Sequence, residues 1–289
     1  MRYFDRLHPA CALVYFAAVI ALCMLTMHPL VVLIFFLSGM TFYGVLCGVR
    51  RLCRSLALSL PLIIVMILLN PLFSHKGNTP LLFINDKPIT LEACVYGAVS
   101  ALAVAGVLYW FLCYSEIMTS DKVIYLFGRV SPRLSLLLCM TLASVPRLRR
   151  QYAEIVEAQR GCGDEAREGV RARLHALSAL VTYALEGSIG TADSMRARGY
   201  GLKGRSSYAI FRFGGSDAVM LTLTAVLVSA IVALLALGGG EFTYYPLLVL
   251  SEPSSASRAL CAACAALTGL PILIEIKEKI QWHISTSTI

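Results

Sequence analysis

What most constrains this chain is its division. Four apolar stretches, Pro9–Met27, Leu30–Val49, Ser55–Phe73 and Leu91–Tyr114, are followed by a long polar, basic insert. Two more apolar stretches, Asp217–Leu237 and Arg258–Ile276, then close the sequence. Each is near the ~20 residues that a helix needs to cross a bilayer. Backbone in hydrocarbon must satisfy its own hydrogen bonds, so such stretches are expected as helices. The expected fold is an all-α integral membrane protein with six transmembrane helices. A cytoplasmic domain of amphipathic helices is inserted between spans four and five. The expected segments are 1–114, 115–213 and 214–289.

Composition supports this class: 58% of residues are hydrophobic and 15% charged, against about 25% charged in a typical soluble domain. Mean hydropathy is +0.74. The ten cysteines do not read as a disulfide framework. Nine lie in or beside apolar segments, where a thiol behaves as a small hydrophobe. Cys261-x-x-Cys264 sits on an alanine-rich apolar run with no second pair, and the five histidines are scattered. No metal site is expected. Arg2 and Arg6 before the first apolar run resemble the start of a signal peptide. That run continues to His28-Pro29 without a convincing cleavage site, so it reads as the first transmembrane helix.

Charge sets the expected orientation. Arg2 and Arg6, then Arg50, Arg51 and Arg54, then Lys277 and Lys279 all fall on one side if the spans alternate. By the positive-inside rule that side is the cytoplasm, with both termini inside; Arg258 is an exception. The short apolar stretch Tyr244–Leu250 is either re-entrant or an extension of span five. Phe4, Tyr43, Tyr109, Trp110, Tyr114, Tyr244, Tyr245 and Trp282 lie near span ends and read as interfacial aromatics. Asp217 and Glu275, also at span ends, are expected to face headgroups.

The insert, 115–213, holds fifteen of the 25 Lys and Arg but nine of the 17 Asp and Glu. Its apolar residues recur at helical spacing. Leu134, Leu137, Leu138, Thr141, Leu142 and Val145 form one series before Pro146. Leu174, Leu177, Val181, Leu185, Ser188 and Ile189 form another. They predict two long amphipathic helices, preceded by a shorter one around Asp121–Phe127. Gly161–Asp164 reads as a break and Glu165–Arg173 as a charged connector. Such helices suit the inner leaflet, where a basic side chain near anionic headgroups contributes ~1 kcal/mol, or a protein partner.

The helix ends favour a protein partner. Arg160 precedes Gly161, and Arg198 precedes Gly199. Glycine after a helix supplies the left-handed conformation, and arginine in the last turn complements the dipole. The device occurs twice, however, and Ala197 removes bulk beside Arg198. An arginine fork bonds several carboxylates or carbonyls at once. Glu154 and Glu157 are expected to pair along the helix surface with Arg150 and Arg160. Glu186 is a candidate anchor for an arginine across the two helices. No span carries a central cluster of ionisable groups of the kind an ion relay needs. The chain also lacks a Gly-x-x-x-x-Gly-Lys-Ser/Thr loop, so any nucleotide must be handled by another chain.

Taken in order, these residues resemble the transmembrane T component of energy-coupling factor transporters, importers of vitamins and metal ions. The likeness runs over nearly the whole chain. Asn70-Pro71-Leu72-Phe73-Ser74-His75-Lys76-Gly77, Pro88-Ile89-Thr90-Leu91-Glu92-Ala93 and Tyr96-Gly97 match the family's first external loop and following span. Ser131-Pro132 to Pro146-Arg147, Glu157-Ala158-Gln159-Arg160 and Met195-Arg196-Ala197-Arg198-Gly199-Tyr200-Gly201, with Arg205-Ser206-Ser207-Tyr208, match its cytoplasmic coupling domain.

The resemblance implies a non-catalytic coupling subunit in the cytoplasmic membrane of a prokaryote. Its two coupling helices would insert their ends into grooves of two ABC-type ATPase subunits through Arg198, Ala197, Gly199, Arg160, Gly161 and Arg196. Leu134, Leu137, Leu138, Leu177, Val181 and Leu185 would face a small membrane-embedded substrate-binding S component. ATP and Mg would be bound by the ATPases, no cofactor by this chain, and no nucleic acid is an expected partner. Two positions depart from the family. Cys162 stands where the second arginine of its first motif belongs, and Arg196 where an acidic residue is common. Alternative readings are a conventional permease subunit, which needs polar residues converging in the spans, and an integral membrane enzyme acting on lipid headgroups.

Overall fold

The computed structural model describes residues 4, 7–73, 79–84, 87–161, 169–202, 211, 213–240, 242, 244 and 255–287. At 80–84, 87–89, 129–130, 278–279 and 281–287 it gives the backbone alone. Within these residues the chain forms two compact units, Met1–Thr119 with Phe211–Ile289, and Ser120–Ile210.

The first unit contains α1 (Pro9–Leu25), α2 (Pro29–Cys47), α3 (Val49–Phe73), α4 (Leu91–Ile117), α8 (Gly215–Ala236) and α9 (Ser255–Ser287). Five of these helices, α2, α3, α4, α8 and α9, are long and apolar enough to cross a membrane, and α1 is apolar but 17 residues long. The protein is therefore a multi-pass helical membrane protein. At ~1.5 Å per residue, α1 covers about 25 Å, short of the ~30 Å hydrocarbon core. Its end has a local cause. Thr26 is extended and Pro29 follows, which holds the preceding backbone out of the helical region. One residue, Gly48, separates α2 from α3. Its φ of +87° is the left-handed turn that glycine accepts, and a Cβ there would meet nothing within 4 Å. Conformation, not crowding, selects glycine at that corner.

Between α3 and α4 lies an antiparallel hairpin that the sequence reading did not foresee, β1 (Pro80–Ile84) and β2 (Lys87–Thr90), paired from Pro80↔Thr90 to Ile84↔Lys87. Its base is fastened to α4. The Leu91 amide donates to the Thr79 carbonyl at 3.1 Å. The Thr79 hydroxyl donates to the buried Glu92 carboxylate at 2.7 Å.

The centre of this unit is aromatic. Phe4, Tyr15, Phe16, Phe35, Phe42, Tyr109 and Trp110 are all essentially inaccessible. The Trp110 ring lies 5.9 Å from Phe42, 6.2 Å from Phe16 and 6.3 Å from Tyr15. Its indole N–H donates to the Phe35 carbonyl at 3.0 Å. Gly39 makes room for it, since a Cβ there would stand 3.0 Å from the indole nitrogen. The Tyr15 hydroxyl donates to the Leu267 carbonyl at 3.1 Å, which ties α1 to α9. Phe4, Tyr109 and Trp110 are thus core residues and not interfacial ones. α4 runs for 27 residues to Ile117, so Trp110 lies within the helix and away from its end. Tyr245 and the Trp282 side chain lie outside the described residues.

Asp217 and Glu275 also depart from expectation: both are buried. Asp217 sits in the first turn of α8 and accepts from the His8 amide at 2.9 Å and the Gly214 amide at 2.8 Å. A carboxylate there satisfies orphan amides of two helix N-termini and complements the α8 dipole. The starts of α1 and α8 therefore lie side by side. The bridge from Arg51 to Glu116, 3.4 Å, places the start of α3 beside the end of α4. With each helix reversing the last, α4 ends and α8 begins on the same side of this unit.

At the opposite side, His28 precedes α2 without capping it. It is 7% exposed, and its Nδ1 has no hydrogen-bond partner among the described residues. Phe242 meets its ring edge-on at 5.7 Å, and Phe242 in turn packs on Tyr244. The Tyr244 hydroxyl donates to the Met27 carbonyl, and its ring rests on Tyr96 of α4. Burial holds the His28 imidazole below its ordinary 6.5 and pushes the Tyr244 hydroxyl up to about 12, so Tyr244 stays neutral when His28 titrates. Neutral His28 favours the docked segment. Docking is at full strength above pH 6.5 and weakens as the pH falls below it, because the released imidazole binds a proton more readily. Hydrogen exchange at the Tyr244 amide, corrected for intrinsic pH dependence, is expected to speed up below pH 6.5 in wild type. In His28→Phe it is expected to stay level.

The second unit contains α5 (Ser120–Val130), α6 (Pro132–Gly161) and α7 (Val170–Ala197). α5 packs on α6 and α6 on α7. The Ser135 hydroxyl donates to the Ile124 carbonyl at 3.0 Å across the first contact.

Candidate functional site

The two long helices of the second unit bury almost nothing of their own. None of the described residues of α6 is buried, and Ala176 alone is buried in α7. Their apolar stripes are open instead. Leu134, Leu137 and Leu138 on α6, and Leu177, Val181 and Leu185 on α7, are all exposed, reaching 60% at Leu137 and 62% at Leu185. In water an apolar stripe of that size is unfavourable, and such surfaces mark contact with a partner or a membrane.

The C-terminus of α7 is a complete Schellman cap. The Gly199 amide donates to the Arg196 carbonyl at 2.9 Å and the Tyr200 amide to the Met195 carbonyl at 3.0 Å. Gly199 has φ +80°. Arg198 occupies the cap position at φ −83°, ψ 9°, with its amide bonded to the Ser194 carbonyl at 3.1 Å. Gly199 thus ends the helix, while Ala197 and Arg198 are left exposed at its tip. Among the described residues no side chain or carbonyl partners the Arg198 guanidinium. Arg196 meets Asp193 one turn back at 4.0 Å, with both side chains largely exposed.

The end of α6 differs. Arg160 is exposed and its guanidinium is also without a partner among the described residues. Gly161, however, is still helical, does not take a positive φ, and a Cβ on it would meet nothing within 4 Å among the described residues. The glycine expected to break this helix is its last described turn. Cys162, Gly163 and Asp164 lie outside the described residues, as do Arg205–Tyr208.

Other expected pairings are not formed. Among the described residues, neither Glu154 nor Glu157 lies within 4.0 Å of an arginine, and Glu186 is exposed and likewise bridges to none. Solvated side chains on an open helix surface gain little from such contacts. Among the described residues a link joins the helices that the sequence pattern does not reveal. Arg147 donates to the Tyr183 hydroxyl at 3.4 Å, and its guanidinium carbon stands 6.0 Å from the centre of that ring. Pro146-Arg147 was visible as a motif, but no spacing rule connects it to Tyr183, 36 residues on. A groove of about 540 Å³ runs beside this link, with Arg147 on one wall and Arg198 on the other.

No protein-family model matches the chain, and no curated protein matches it either. The likeness to a T component therefore rests on the motif residues themselves.

Proposed function

We propose that the protein is the membrane-embedded coupling subunit of an ATP-driven importer of the energy-coupling factor type. The observation that carries this reading is the pair of exposed arginine tips. Arg160 and Arg198 are charged, unpartnered within the described residues, and placed at the C-terminal ends of α6 and α7. A helix end bearing a guanidinium fits an acidic, carbonyl-rich groove, and two such ends fit two ATPase subunits. The open stripes through Leu137 and Leu185 supply the surface for a small membrane-embedded S component. The basic clusters orient the insert to the cytoplasm, where ATPases reside. In this reading ATP hydrolysis belongs to the partners, and the chain transmits their motion.

Purification of the tagged chain in mild detergent from its native membranes tests the proposal. Wild type is expected to bring down ATPase chains and a small hydrophobic protein, whose identity gives the substrate. Arg160→Ala/Arg198→Ala is expected to reach the membrane at normal yield and lose the ATPases. ATPase capture undiminished in the double variant, or absent from wild type, would overturn the reading.

A further inference from the structure

We propose that the outward face of α3 holds an anionic phospholipid, its headgroup phosphate on Arg50 and Arg54 and an acyl chain along the apolar stripe that follows them. The rotation of this helix is fixed by its polar residues. Between Arg54 and Phe73 these are Ser55, Ser59 and Asn70, and all three turn toward neighbouring helices. The Ser55 hydroxyl donates to the Tyr43 hydroxyl at 3.4 Å, and the Ser59 and Tyr109 hydroxyls share a hydrogen bond of 3.2 Å. The Asn70 amide donates to the Ser100 hydroxyl at 3.4 Å. The opposite side carries Arg50, Arg54, Leu58, Leu62, Val65 and Leu69, which recur at steps of three and four and are all exposed. Residues so spaced stand one above the other on a helix. The cations and the apolar stripe therefore share one face.

The arginines lack a counter-charge. Arg51 is bridged to Glu116. Among the described residues neither Arg50 nor Arg54 has a carboxylate partner. They stand one turn apart, where like charges repel. They also lie at the positive end of the helix dipole, in a helix with no acidic residue in its first turn. An anion between them relieves both repulsions, and arginine forks match phosphate oxygens in two-bond geometry.

The rest of the face selects the ligand class. In α3 6% of the apolar window is buried within the chain, against 44% in α4. Membrane helices that pack on one another favour small residues at the contact. Here the exposed residues are Leu and Val, with Leu58 71% exposed, which suits a lipid tail and not a partner helix. From Arg54 to Val65 is about 16 Å along the axis, one leaflet of a ~30 Å hydrocarbon core. A free phosphate would use the arginines alone. The inference does not rest on the coupling proposal, because α3 lies in the first unit and carries none of the residues that proposal uses.

The test is lipid retention by the full-length chain in nanodiscs of phosphatidylglycerol and phosphatidylcholine, read by native mass spectrometry after detergent extraction. Wild type is expected to retain phosphatidylglycerol preferentially. Arg54→Gln should lower that retention about fivefold, the effect of one basic residue at an anionic headgroup. Arg54→Lys should keep most of it, which guards against a loss caused by misfolding. Arg258→Gln, which removes an exposed arginine at the start of α9, should retain as wild type does. Equal retention of the two lipids by wild type, or undiminished retention in Arg54→Gln, would overturn the inference. An equal loss in Arg258→Gln would overturn it too, by making net charge the cause. Displacement of the lipid by added inorganic phosphate would assign the arginines to a free anion and also overturn it.

Discussion

Trp110→Ala is expected to destabilise the membrane unit by about 3–5 kcal/mol, the range for emptying a large aromatic site. Little of this is a hydrophobic term, since the alternative environment is lipid and not water. What is lost is contact. Trp110 touches the rings of Tyr15, Phe16 and Phe42, which belong to α1 and α2, and bonds the Phe35 carbonyl. Those contacts hold α4 against two neighbours, and in a bilayer packing and hydrogen bonds drive such association. Thermal unfolding in detergent, followed by near-ultraviolet dichroism of the aromatic cluster, reads the loss. Trp110→Phe should recover most of it, because the ring contacts survive and one hydrogen bond goes. A midpoint for Trp110→Ala equal to wild type would show that the cluster does not hold these helices together.

That prediction was not available from sequence, and the reason is physical. Hydropathy and length are local properties, so four of the six apolar helices could be placed to within a few residues at both ends. Burial is tertiary. From sequence Trp110 reads as interfacial because it lies near the end of an apolar run, but α4 continues to Ile117. Asp217 and Glu275 read as facing headgroups for the same reason, and the fold turns both inward. Only the meeting of α1 and α8, about two hundred residues apart in the chain, gives the Asp217 carboxylate its amide from His8. The hairpin was hidden differently. β1 reads Pro-Leu-Leu-Phe-Ile without alternation, and β2 contains Pro88, tolerated because both strands of a two-stranded ribbon are edges. In the second unit the sequence patterns identified which residues are exposed and apolar, and where the arginines stand. They did not distinguish the two helix ends, because Arg-Gly reads alike whether or not the glycine turns.

That distinction yields the second large effect. On the proposed coupling reading, which would seat Arg198 in an ATPase groove, Arg198→Glu is expected to abolish ATPase capture, since truncating one partner of a buried, bonded charge pair typically costs ~2–5 kcal/mol and reversal adds repulsion. The two glycines should then behave oppositely. Gly199 holds φ +80° and fixes the direction in which Arg198 leaves the helix. Alanine there costs roughly 1–2 kcal/mol in the left-handed region, so Gly199→Ala should weaken capture with Arg198 intact. Gly161 is helical, and no described atom lies within 4 Å of a Cβ built on it. Gly161→Ala gains up to about 1 kcal/mol of helix propensity and should leave capture unchanged or slightly stronger. Quantitative co-purification of the ATPases with each tagged variant, at matched membrane yield, measures all three. Equal loss in the two glycine variants would mean that the helices engage their partners by one shared geometry, and that α6 turns at Gly161 when bound. Loss in Gly161→Ala alone would contradict the assignment of Arg198 as the principal contact. Loss confined to Arg198→Glu and Gly199→Ala would make the capped tip of α7 the dominant contact with the ATPases.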